Sequence, residues 1–160
     1  MAAPAALPPG LAPSFATSSK APATPMSYAD TLESYMLRME LSHEQVSDDT
    51  WVLAPDSLRH ARIIVRIDEP IVLYSTPLFG VTEATTDRET LFRKLLEFND
   101  SLLHCAYALD SDQIVLSGAQ QLEDLDYNEF QAMIEDMVMA IDSHLDQLMP
   151  WRPATVQEGT

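Results

Sequence analysis

Between Leu91 and Leu116 the spacing of apolar residues changes from helical to alternating, and any fold of this chain must accommodate that change. Leu91, Phe92, Leu95, Leu96 and Phe98 keep mostly to one helical face. Ala106, Ala108, Ile114 and Leu116 then flank the turn-forming run Asp110, Ser111, Asp112. The spacing predicts a helix that ends near Asn99 and a hairpin that begins a few residues later. A helix and a hairpin in such close succession need a shared core, so the chain reads as a packed α+β domain.

The totals bound what that domain can do. A chain of 160 residues with 46% apolar content can build one ordinary core and is short for two. Its net charge of −16 disfavours nucleic acid and anionic membranes, which both require a basic footprint. The charge is unevenly placed: from Leu95 to Trp151 twelve carboxylates stand without a single Lys or Arg. A protein partner, through a basic or amphipathic segment, fits such a field. The single cysteine, Cys105, cannot close an internal disulfide, which agrees with a cytoplasmic location. Uninterrupted apolar runs are a few residues long, far below the roughly 18 to 20 needed for a membrane span.

Taken in order, residues 1–25 are rich in Ala, Pro and Ser without any helical or alternating period, and read as a disordered tail. Met26 opens the folded part and could itself serve as a start, with residues 1–25 an upstream addition. Ser27 and Asp30 resemble a capping pair for a first helix, about Tyr28 to Leu41, with Leu32, Tyr35, Met36 and Met39 on one face. Ser42 to Asp49 is polar and reads as a loop, and Thr50 to Ala54 is a first strand in which Trp51 and Leu53 share a face. Alternation from Leu58 to Ile67 gives a second strand, with Ile64 an exposed exception. Glu69 and Pro70 connect it to a third, Ile71 to Thr76, and Pro77 ends that strand before the apolar loop Leu78 to Val81, read as core ahead of the alternative of a contact loop. Thr86 with Glu89 suggests a capping box for the second helix. Asp126 with Glu129 starts the third helix, whose stripe is Phe130, Met133, Ile134, Met137, Ile141, Leu145 and Leu148, and Pro150 stops it. Residues 152–160 read as a second disordered tail. The expected order is α-β-β-β-α-β-β-α, a five-stranded, mostly antiparallel sheet with three helices.

The phrase Leu95, Leu96, Glu97, Phe98, Asn99 closing a helix, followed by the strand Ala106 to Asp110 in a pattern of small, aromatic, small, Leu, Asp, resembles the YbjN family of small bacterial proteins. The likeness runs from about Met26 to Trp151. It implies a fold like that of the type III secretion chaperones, a chaperone-like or regulatory role without catalysis, and a homodimer paired through the second helix. A dedicated type III secretion chaperone for an effector is the neighbouring possibility, and an enzyme with an unrecognised site is the rival of another class.

Candidate chemical groups are few. His104 and Cys105 are adjacent on a strand and so point to opposite faces, which leaves Cys105 a buried structural thiol. Glu40 and His43 form one Glu-x-x-His without the second copy a di-iron site requires. Asp110 and Asp112 open like a calcium loop, but Ile114 stands at the next ligand position. The pairs Asp48 with Asp49 and Glu135 with Asp136, and His43, His60 and His144, read as solvated or edge groups. Met139, off the third helix's main stripe, is the methionine expected to be exposed. No catalytic, cofactor-binding or metal-binding residue is assigned, and no cofactor is expected.

Overall fold

The computed structural model describes residues 24–153. The elements are α1 (Tyr28–Arg38), β1 (Ser42–Ser47), β2 (Thr50–Ala54), β3 (Ile63–Asp68), β4 (Ile71–Gly80), α2 (Arg88–Ser101), β5 (Ala106–Asp110), β6 (Gln113–Gln121) and α3 (Tyr127–Leu148), closed by a 3-10 turn at Met149–Trp151. Six strands form one antiparallel sheet in the order β1-β2-β3-β4-β6-β5. The tails expected at 1–25 and 152–160 fall almost wholly outside the described residues.

The sixth strand, β1, corrects the five-stranded expectation, and its origin is the end of α1. Glu40 sits in the left-handed region with φ 55°, and the N–H of Leu41 reaches back to the Met36 carbonyl while that of Glu40 reaches Leu37. This pair of bonds stops the helix at Arg38 rather than Leu41 and turns the chain into an extended run. Serine, histidine, glutamate and glutamine there show no apolar alternation because β1 is an edge strand exposed on nearly every residue. It is held by its backbone ladder to β2, His43 opposite Leu53 and Gln45 opposite Trp51.

One face of the sheet is covered. Trp51, Val65, Tyr74 and Gly118 lie in one cross-strand row, and Tyr107, Leu116 and Thr76 in another. Trp51, Leu53, Ile63, Tyr74, Leu116 and Phe130 are fully buried, each contributing about 1.5–3 kcal/mol of transfer free energy. The opposite face carries Val52, Ile64, Ser75, Ser117 and Ala106 in register. Ile64 is therefore half-buried among neighbours rather than exposed.

Several boundaries move for physical reasons. The chain from Leu58 to Arg62 is not strand: Ser57, Leu58 and Arg59 are drawn instead to the Asp142 carboxylate on α3. β4 runs on through Pro77 to Gly80, with a register shift between Pro77 and Phe79. β3 pairs with β4 only as far as Ile64 opposite Ser75, so on that side no ladder partner faces the proline. Phe79 and Val81 are buried, as a core reading of that apolar stretch requires. Ser111 and Asp112, with φ of 47° and 63°, make the two-residue turn between β5 and β6 that matches the sheet's twist.

α1 and α3 pack together through Tyr35, whose hydroxyl donates to the Leu125 carbonyl at 2.9 Å and whose ring lies 5.7 Å from Phe130. Arg38 stacks 3.7 Å above the Tyr127 ring. Both outer helices begin with full capping boxes, Ser27 with Asp30 and Asp126 with Glu129. α2 does not: its N-cap is Asp87, left-handed at φ 55°, whose carboxylate accepts the Thr90 hydroxyl instead of a backbone N–H. The Thr86–Glu89 box is thus absent, because Thr86 lies outside the helix.

Candidate interaction surface

α2 turns Leu91 and Leu95 into the core and leaves a ridge outside. Arg88, Phe92, Leu96 and Asp100 follow one another at four-residue spacing and so form a single ridge along the helix. Leu96 is 69% exposed and Phe92 half-buried. The ridge borders an open groove of about 910 Å3 whose other residues are Glu89, Arg93 and Glu97. A second, more apolar cleft of about 320 Å3 separates α2 from β5 and β6, with Leu95, Leu96, Tyr107, Ala108 and Leu109 in its walls. Leu109 is itself 51% exposed. Leu96 on α2 and Leu109 on the edge strand β5 thus leave apolar surface uncovered on this side of the fold.

The far end of α2 is fixed to β5 by side-chain bonds. Asn99 Nδ2 donates to the Tyr107 carbonyl at 3.1 Å, and the Tyr107 N–H donates to Asn99 Oδ1 at 2.7 Å. Phe98, one residue earlier, stacks on the His144 ring of α3 with centroids 3.9 Å apart and planes 2° apart. The Tyr107 hydroxyl lies 3.0 Å from His144 Nδ1. Phe98 therefore faces inward, and the outward residue of the face is Leu96. His144 is likewise no solvated group. Burial, and then the Lys94 charge, hold its imidazole below the ordinary value of 6.5.

The remaining candidates distribute as follows. Cys105 is buried and His104 exposed, on opposite faces of the chain. The thiol donates to Asp136 Oδ2 at 3.4 Å, and the His104 N–H donates to the same oxygen at 2.8 Å. Burial, with the Asp136 charge behind it, pushes the thiol up to about 12, which keeps it in the protonated form at neutral pH. Asp136 is only 7% exposed, which corrects its reading as a solvated carboxylate. Asp142 accepts from Ser57 and two backbone N–H groups, and Asp146 pairs with Arg59. The acidic half is thus less bare than its sequence: several carboxylates are occupied by hydrogen bonds that no count of Lys and Arg reveals. Glu123, Asp124 and Glu135 stay exposed.

Glu40 and His43 are split between a helix end and β1, so they share no helical face. Asp110 belongs to β5 and Asp112 to its turn. Among the described residues no group of three or more His, Cys, Asp or Glu stands together as a metal site. No helix among them is long and apolar enough to cross a membrane. Met36, Met133 and Met137 are buried, while Met139 is 57% exposed, as its position off the stripe requires.

The model of the CesT_Tir_1 family matches residues 26–152. The chain belongs to this family. No curated protein matches it. Among solved structures it is similar to YbjN from E. coli, described as a putative transcription regulator, with 18% identity, TM-score 0.56, and coverage of 74% of this chain and 91% of that one. It is similar in the same way to a chain of the heterodimeric ExoU-SpcU complex from the type III secretion system of Pseudomonas aeruginosa, with 17% identity, TM-score 0.56, and coverage of 76% and 97%. A chain of the HopA1-SchA chaperone-effector complex follows at 14% identity, TM-score 0.51, and coverage of 79% and 94%. The CesT_Tir_1 match falls on the segment, about Met26 to Trp151, to which the resemblance pointed, and the α+β fold is shared with the solved structures.

Proposed function

We propose that this CesT_Tir_1 protein is a noncatalytic, cytoplasmic bacterial module that binds another protein in a chaperone-like or regulatory way, and that it does so as a homodimer. The observation that carries the reading is the family match across residues 26–152, nearly all of the described residues. The α2 ridge supports the pairing. Its order, basic Arg88, apolar Phe92, apolar Leu96, acidic Asp100, reads as its own complement when a second copy is laid antiparallel. Arg88 then opposes Asp100 of the partner subunit, and Phe92 opposes its Leu96. Interdigitated four-residue ridges of this kind are the commonest helix packing.

The client on this reading is a protein segment with basic and apolar residues, attracted by exposed Glu123, Asp124 and Glu135. A dedicated type III secretion chaperone is the second reading, favoured by the likeness to a chain of a chaperone-effector complex. The test is affinity capture from the native cytoplasm with mass spectrometry, followed by association rates of the captured partner with the purified chain. Rates should fall steeply between about 0.1 and 1 M salt, as the Debye length shrinks from about 10 to 3 Å. They should fall similarly at low salt when Glu123, Asp124 and Glu135 become amides. Rates indifferent to both changes would sink the basic-segment reading.

A further inference from the structure

We propose that a cleft between the 57–62 loop, β4 and the end of α3 binds a carboxylate carried on a short aliphatic stem. The cleft measures about 150 Å3 and is lined by Arg59, His60, Arg62 and Arg152 above Leu78, Ile141 and Leu145. Three of the chain's nine Lys and Arg residues thus meet at one small concavity of a molecule whose net charge is −16. Arg59 is paired with Asp146, and among the described residues Arg62 and Arg152 have no ion-pair partner. Their planar guanidinium forks suit a carboxylate, and the three aliphatic side chains suit a stem.

The loop that presents these groups is held in place before any ligand arrives. The Ser57 hydroxyl donates to Asp142 at 2.6 Å, and the N–H groups of Leu58 and Arg59 donate to the same carboxylate, each at 3.1 Å. Ser57 Oγ in turn accepts from the Ala61 N–H at 3.2 Å. These bonds keep His60 left-handed at φ 53°, a conformation uncommon for a residue with a side chain. A loop so fixed loses little freedom on binding. A monoanion is preferred over phosphate because the surrounding field of −16 opposes a second negative charge, and because phosphate has no stem to bury. The carboxylate can belong to a free short-chain acid or to the last residue of a polypeptide.

Amide NMR of the full chain, titrated with pentanoate, pentanamide and inorganic phosphate, tests this. Pentanoate should shift the Arg59 to Arg62 and Arg152 amides saturably, and pentanamide should bind at least about tenfold more weakly. The double variant Arg62→Gln with Arg152→Gln should weaken pentanoate by tenfold or more while keeping the dispersion of the spectrum. A short peptide ending in valine, compared with its C-terminal amide, separates the sources: binding of the free peptide well above pentanoate assigns the site to a polypeptide end, and binding of pentanoate alone assigns it to a small acid. No saturable shift, equal binding of pentanamide, or tighter binding of phosphate would overturn the proposal.

Discussion

Asn99 on α2 and Tyr107 on β5 exchange two hydrogen bonds, the side-chain amide of one against the backbone of the other, at 3.1 and 2.7 Å. The amide imitates a neighbouring strand at the sheet's outer edge, satisfying a peptide group that would otherwise be open to pairing. It also fixes the end of α2, and with it the angle at which Leu96 faces outward. Asn99→Ala should cost about 1–3 kcal/mol, since it strips partners from both groups of the Tyr107 backbone. Urea denaturation checks this, and an unchanged midpoint with unchanged slope would contradict it.

The motif that pointed to the family is thus a physical contact as well as a pattern: Asn99 closes the helical phrase and Tyr107 is the aromatic of the strand phrase. Long-period features were legible for the same reason. α3 has a wide stripe and a capping box at Asp126, so its start and Pro150's stopping role could be read directly. β1 could not, because an edge strand exposed on both faces has no apolar alternation to show. On β5 Ala106 and Ala108 are exposed and Tyr107 is buried. Two alanines and an aromatic leave the face undecided until α2 and α3 close over the ring. The roles of Asp136 and Asp142 rest on partners in other elements, 31 and 85 residues away, and local sequence carries no trace of such distances. Phe98 and Leu96 were separable only once α2's rotation was known.

His144 makes stability depend on pH. Its folded value lies below 6.5, so the unfolded chain takes up the proton more readily and stability is full above that value. Stability is therefore lost as pH falls through 6.5 toward the lower folded value, with Lys94 opposing the new charge. His144→Phe keeps a ring on Phe98 and cannot titrate. Denaturation midpoints at pH 7 and pH 5.5 should differ less for the variant than for the unmodified chain, and equal differences would refute the assignment.

Gly118 is required by a close approach. A Cβ built there would lie 2.8 Å from the Met133 thioether and 2.9 Å from the His104 carbonyl oxygen. The methionine can swing away, but the carbonyl belongs to the backbone that presents His104 to Asp136. Gly118→Ala should destabilise by about 1–3 kcal/mol through this overpacking. Thermal denaturation reads it, and a melting temperature equal to that of the unmodified protein would show that the backbone yields freely.

The arginine ridge end predicts a charge-reversal rescue. Arg88→Asp alone should weaken self-association about tenfold by placing like charges opposite Asp100 of the partner subunit. Adding Asp100→Arg should restore it, because the twofold arrangement exchanges both positions at once. Sedimentation equilibrium distinguishes the outcomes; two losses that simply add would mean that the two residues do not meet.

The central claim, a homodimer paired through the outer face of α2, is tested most directly by light scattering on the purified full chain at micromolar concentration, with Leu96→Glu measured beside it. The account expects twice the chain mass of 17.8 kDa for the unmodified protein, and one chain mass with an unchanged circular dichroism spectrum for Leu96→Glu. A single-chain mass for the unmodified protein, or a dimer indifferent to a glutamate at Leu96, would contradict it.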